Sequence, residues 1–335
     1  MPNSDPRGVL RLGVKLLLLA LPFLALSAVV ELGLRRMPST YSVKKAIIER
    51  RLADTEILIT GHSQSLEGID PAILGPNAVS VANLSQSLYY DARVVSLYLD
   101  RLPRLRLVVI PLSYFSLRYR LPDSAEPWRM FFYRATWGIP EESPPRCRLH
   151  PRNYLFLLNY GNLAAGRSLL RGFHADPGID ENGWQPVREN DPNKEFSIND
   201  ATARARVAFH AAAMREEAVG PNLRDLDDLL GRLKACGVRV VLITTPVFET
   251  YRRNMDRTVF DEMTRAATSL ASRQGFPFRD YFADERFTLD DFYDNDHLNA
   301  RGAEKFSRIL RDELVSPLLT RVRTPPVPAA ARESR

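Results

Sequence analysis

Hydrophobic and polar positions follow three different rhythms along the chain. From Leu16 to Val30 the sequence LLLLALPFLALSAVV is apolar on every face, and the run extends to Leu34 with Glu31 as its one charge. A bilayer core takes about 20 mostly apolar residues. The stretch therefore predicts a membrane anchor over residues 1–36, in preference to a signal peptide cleaved near the small residues Ala25-Leu26-Ser27. A helix apolar all round fits poorly as a soluble core helix. Arg7, Arg11 and Lys15 on one side face Arg35 and Arg36 on the other, so the positive-inside rule decides little about orientation.

After a short helix over 41–52, apolar runs alternate with amphipathic stretches. EILIT (Glu56–Thr60), AVSVANL (Ala78–Leu84), RLVVIPL (Arg106–Leu112) and VRVVLITTP (Val238–Pro246) read as strands, with FPFRDY (Phe276–Tyr281) as a short fifth. Helical periodicity covers Tyr89–Leu102, the stretch ending at Gly237, Asp256–Arg273 and Ala300–Leu314. Such alternation predicts an α/β fold, a three-layer flavodoxin-like parallel sheet. The third run is nearly all apolar, as a strand buried on both faces must be. The third rhythm is an absence of one: residues 114–197 are rich in Pro, Arg and aromatics and have little periodicity. They predict an insertion after the third strand, partly helical over 153–170, lying over the carboxyl ends of the strands. The expected organisation is an anchor at 1–36, an α/β domain at 37–316 carrying that insertion, and a disordered Pro/Ala tail at 317–335.

Composition alters this picture only slightly. With 45% hydrophobic and 26% charged residues the chain is of ordinary globular type. Its formal charge of +6 comes from the ends and from scattered positions. No basic stripe is interleaved with aromatics, so nucleic acid is excluded as a partner. The two cysteines, Cys147 and Cys236, lack the spacing of a metal site, and neither a disulfide nor a metal is expected.

The chemistry lies in two stretches. In ITGHSQSLEGID the first strand runs into Gly61 and His62, followed by two serines, Ser63 and Ser65. In DDFYDNDHLNARG, Asp294 stands three residues before His297, just ahead of the last helix. A tight turn can set that carboxylate against Nδ1 and leave Nε2 outward as a general base. An imidazole does this near neutral pH without a large pKa shift. A serine hydroxyl needs such a partner to become nucleophilic. Both stretches are predicted at the carboxyl ends of the strands, where crevices form in open α/β sheets.

ITGHSQSLEGIDP together with FYDNDHLNARGAEKFS resembles the SGNH hydrolase (GDSL-like) superfamily, whose first block supplies a serine nucleophile and whose last block supplies an Asp-x-x-His pair. The resemblance implies Ser63 as nucleophile, with Ser65 outside the motif, His297 as base, Asp294 as its orienting acid, and no cofactor. This chain departs from the pattern at three places. His62 stands where the family's first block has Asp, and as a base it is demoted because its side chain leaves the turn away from that of Ser63. The second block's glycine falls near Ser85, whose backbone N–H still serves as an oxyanion donor. The third block's Asn falls on Phe115, removing a side-chain donor worth roughly 3–4 kcal/mol of transition-state stabilisation. The oxyanion donors expected are thus the N–H groups of Ser63 and Ser85, with Asn83 or Gln86 as stand-ins for the lost amide.

The anchor, the G-x-S-x-S first block and the closing D-x-D-H-L-N are similar to an envelope-associated branch that includes DltD-type lipoteichoic-acid proteins and alginate O-acetylation proteins. That likeness implies an esterase or O-acyltransferase on the outer side of the inner membrane. Its substrate would be an acylated polysaccharide, and its partner a membrane-bound O-acyltransferase. A secreted carboxylesterase or lipase of small esters, and a non-catalytic polymer-binding scaffold, are the rival readings. Elsewhere, Asp280 and Asp291 read as solvated or capping, Asn299 as the N-cap of the last helix, and Tyr89, Tyr90 and Asp91 as core. Trp128, Trp137 and Trp184 read as packing of the insertion, and His150, His174 and His210 as structural.

Overall fold

The computed structural model describes residues 6–142, 151, 154–187 and 197–320. It divides into two units. The larger contains five parallel strands, β1 (Ile57–Ile59), β2 (Ala78–Ser80), β3 (Leu107–Leu112), β4 (Arg239–Thr244) and β5 (Phe278–Arg279), in the order β2-β1-β3-β4-β5. Ile57 pairs with Ala78 on one side and Leu107 on the other, Leu107 pairs with Arg239, and Leu242 with Phe278. The fold is α/β, and the strands fall where the apolar runs place them. β2 ends earlier than its run, yet the N–H groups of Val81 and Asn83 still donate to the carbonyls of Ile59 and Gly61 at 2.8 and 3.1 Å.

Strand side chains alternate between faces, and both faces are covered. Ile57, Ile59, Leu107, Val109, Val241 and Ile243 share a core with Phe306 and Leu310 of the last helix, Ala300–Leu310. Leu58, Val108, Val240 and Leu242 point the other way and are also fully buried. On the chain's path, β1 leads outward to β2, then the chain returns past β1 to β3. The order reverses between β1 and β3, which opens a crevice at their carboxyl ends.

The unit's remaining segments trim this frame. Residues 178–187 cover the edge strand: the Ser80 N–H donates to the Asn182 carbonyl at 2.8 Å, and buried Lys44 donates to the Gly183 carbonyl at 2.7 Å. Gly183 has φ +88°, and a Cβ there would come within 2.2 Å of the Ser80 carbonyl oxygen, so this close approach requires glycine. Residues 317–320, expected to begin a disordered tail, are helical instead (Ser316–Thr320), because Leu318 and Leu319 pack on the core beside buried Leu314 and Val315. Later residues of that tail lie outside the described ones, as do Cys147 and His150.

The smaller unit groups the N-terminal helix, Pro6–Arg36, with residues 144–177 and their helix Phe156–Leu170. Glu31, the one charge in the apolar run, accepts the N–H groups of Phe156 and Leu157 at 3.1 and 2.9 Å and pairs with Arg35 at 2.7 Å. A carboxylate there satisfies orphan donors and complements the helix dipole. Val30, Leu34 and Met37 pack with Phe156, Leu157, Tyr160 and Phe173. The N-terminal helix is long and apolar enough to cross a membrane.

Candidate active site

β1 delivers the first component. After Thr60 the chain turns at Gly61 (φ +115°), where a Cβ would meet the Ser65 Cβ at 3.0 Å, and enters the helix Ser63–Gly68. Buried Asp91 braces the turn, accepting the Gly61 N–H at 2.8 Å, the Thr60 hydroxyl, and the Gln86 amide at 2.6 Å. Burial pushes Asp91 up to about 6, against the pull of these three donors. Gln86 is spent here, its carbonyl also accepting the Tyr133 hydroxyl at 2.7 Å, so it supplies no oxyanion donor. Ser65 is fully buried and donates to the Thr60 carbonyl at 2.7 Å. Ser63 keeps some exposure at the crevice.

The second component comes from the loop before the last helix. Asp294 accepts the N–H groups of Asp296 and His297 at 2.9 and 2.8 Å, closing the tight turn that the spacing predicts. Both its carboxylate oxygens reach His297 Nδ1, at 3.0 and 2.9 Å, and His297 Nε2 lies 2.8 Å from Ser63 Oγ. Three residues drawn from stretches 234 positions apart thus form one hydrogen-bonded line. Asn299 caps the last helix by accepting the Gly302 N–H at 2.9 Å. Asp291 is buried under Lys305 (2.8 Å) and holds this loop without touching His297. Asp280 accepts from Thr244 and the Phe282 N–H, away from the site.

The pocket around Ser63 and His297 encloses about 260 Å³ and is lined by His62, Glu67, Leu84, Ser85, Phe115, Tyr119, Glu126, Arg129, Arg206, Phe209 and His210. Ser85 is there in the left-handed region (φ 55°), a conformation that favours glycine, held by its hydroxyl on Glu126 and by Tyr119 donating to its carbonyl at 3.2 Å. Asn83 does not line the pocket: its N–H goes to Gly61 and its side-chain amide to the Val81 carbonyl. Phe115 does line it, tilted against His62 and His210 with ring centroids 5.1 and 4.4 Å apart. None of Trp128, Trp137 and Trp184 does; Trp184 donates to the Glu67 carbonyl at 2.8 Å, behind the serine helix. Tyr89 and Tyr90 also lie outside it.

Several residues in and behind the pocket escape sequence reasoning. Asp296, nearly fully buried, accepts Arg206 at 2.7 Å and Gln64 at 3.2 Å and lies 3.6 Å from His297 Nδ1. Gln64 in turn accepts the hydroxyls of Ser113 and Thr245 at 2.7 and 2.9 Å, tying together the chain just beyond β1, β3 and β4. Arg206, on the helix Asp200–Ala212, brings a guanidinium nitrogen 3.3 Å from His297 Nε2. His210, expected to be structural, is in the pocket wall, bonded to the Tyr251 hydroxyl at 2.6 Å. His62 also lines the pocket, its ring against Phe115. Burial lowers both His62 and His210 to about 3, so they stand as neutral rings.

The electrostatics differ from the sequence expectation too. Burial alone would lower His297, but Asp296, Asp294 and Glu67 outweigh it and push the imidazole up to about 10. Burial raises Asp296, yet His297 and Arg206 hold it below the usual carboxylate range. Among the described residues Asp294, Asp296 and His297 bring ligand atoms within 4.8 Å of one another. Arg206 already neutralises Asp296, and Nε2 is committed to Ser63, so the donor set fits proton transfer better than cation binding.

No protein-family profile and no curated protein matches the chain. The solved structures to which the fold is similar include the following three. A Bacteroides fragilis protein assigned as an acylhydrolase is 10% identical, covering 82% of this chain and 96% of its own, TM-score 0.41. A lipase/acylhydrolase from Enterococcus faecalis is 12% identical, covering 78% and 96%, TM-score 0.37. A GDSL-like lipase from Bacteroides thetaiotaomicron is 11% identical, covering 85% and 100%, TM-score 0.40.

Proposed function

We propose that the chain is a serine acyl-esterase or O-acyltransferase that acts on an acylated envelope or exported polysaccharide and is held at the membrane by its N-terminal helix. The observation that carries this reading is the line Ser63 Oγ, His297 Nε2 and Asp294. Ser63 Oγ attacks the ester carbonyl while Nε2 takes its proton. The leaving hydroxyl then recovers that proton, and a second hydroxyl, from water or an acceptor, releases the acyl group. Asp294 fixes the tautomer. Backbone N–H groups of Ser63, in the first turn of its helix where donors lack intrahelical partners, and of Ser85 are assigned to the oxyanion. Aromatic Phe115, Tyr119 and Phe209 beside charged Arg129 and Glu126 suit a hydroxyl-rich substrate.

The test is a fluorophosphonate probe on the full chain in detergent. Wild type and Ser65→Ala should label, since the Ser65 hydroxyl is turned to Thr60. Ser63→Ala should not label, and His297→Ala should slow labelling by about 100-fold or more. Equal labelling of the two serine variants would refute the assignment.

A further inference from the structure

On the helix Ser63–Gly68 the residues Gln64, Ser65, Leu66 and Gly68 are buried, and Ser63 and Glu67 alone retain exposure. Four positions apart, they share one helical face. The Glu67 carboxylate lies 3.9 Å from His297 Nε2, the nitrogen that Ser63 Oγ also approaches, at 2.8 Å. Its side chain is 18% exposed and lines the pocket. Trp184 fixes the backbone behind it by donating to the Glu67 carbonyl at 2.8 Å.

A separation of 3.9 Å is too long for a hydrogen bond and suits two groups that share a third between them. The group that must occupy that position is the hydroxyl that resolves the acyl-enzyme. We propose that Glu67 is a further catalytic residue, which receives and orients the incoming hydroxyl in the deacylation half-reaction. This rests on Ser63 being the nucleophile. In that step the hydroxyl gives its proton to His297 Nε2 as its oxygen bonds to the acyl carbon. The tetrahedral intermediate then collapses with cleavage of the bond to Ser63 Oγ, and Nε2 returns the proton to Oγ. Water has a second hydrogen for Glu67; a sugar acceptor has a neighbouring hydroxyl. The site therefore takes water or polyol acceptors in preference to simple alcohols, which leave the carboxylate unmet.

Para-nitrophenyl acetate isolates this step, because its leaving group departs without a proton and acylation does not call on Glu67. With the full chain in detergent, and with both rates read on the pH plateau where His297 is neutral with or without the Glu67 charge, Glu67→Gln should keep the rate of the nitrophenol burst within about threefold of wild type while turnover falls about 10- to 100-fold. Intact mass should show acetyl-enzyme accumulating on Ser63, and Glu67→Asp should restore part of the turnover. Unchanged turnover in Glu67→Gln overturns the proposal. A burst and a turnover that fall by the same factor also overturn it, since that is what a merely structural residue would give. If wild type itself is not modified at Ser63 by fluorophosphonate, the nucleophile assignment has failed and this inference falls with it.

Discussion

At the scale of single residues, the charge around His297 governs how the site responds to pH. Three carboxylates raise the imidazole towards about 10, against the lowering effect of burial. In the proposed reaction the neutral ring is the working base, so kcat/KM should rise with pH along a limb centred well above the ordinary imidazole range. Asp296 is the strongest of the three. Asp296→Asn should move the limb down by about 1 to 3 pH units; a limb that does not move would rule out this account. The same shift links to stability. A folded-state pKa above the unfolded one gives stabilisation that is complete below about 6.5 and is lost as pH rises towards the folded value. Ser63, Asp294 and His297 are legible in the sequence because Asp294 and His297 sit in one turn and Ser63 follows a strand. Asp296 stands in the same quoted motif, but its partners, Arg206 and Gln64, come from 90 and 232 positions away. Glu67 left a usable signal, the four-residue spacing from Ser63.

At the scale of elements, the site depends on a glycine contact that fixes the last helix against the His297 loop. The last helix packs so closely on the loop before it that a Cβ at Gly302 would lie 2.0 Å from the Asp291 carbonyl oxygen. That carbonyl also accepts the Asn299 N–H at 3.0 Å. Gly302→Ala should therefore destabilise the fold by about 1–3 kcal/mol, the usual cost of overpacking. It should also loosen the His297 loop, slowing fluorophosphonate labelling; thermal unfolding and labelling rate measured together check both. The helix Asp200–Ala212, which supplies Arg206 and His210, gives little sequence signal, since only Ala203 and His210 on it are buried. Its weak apolar stripe resembles a surface helix, and its role comes from the pocket it closes.

At the scale of the whole molecule, the N-terminal helix separates two outcomes. A membrane anchor predicts that the mature protein keeps its N-terminus and stays in the membrane fraction after alkaline carbonate extraction. Intact mass measured after expression checks this, and a mature chain beginning near Ser27 would show cleavage instead. Glu31, which caps the helix Phe156–Leu170, does not separate the two outcomes, because it lies beyond Ser27 and stays on the mature chain in either.

The sequence by itself determined the five strands, the class of sheet and the serine, histidine and aspartate of the candidate relay. Those features are written in local periodicity and short spacings, which act within one turn or one strand. Tertiary structure alone decided the surroundings of His297: the second carboxylate on it, the guanidinium beside it, the aromatic wall at Phe115 and the approach of Glu67. Each of these depends on burial and on distances between segments far apart in the chain, and a linear pattern carries neither.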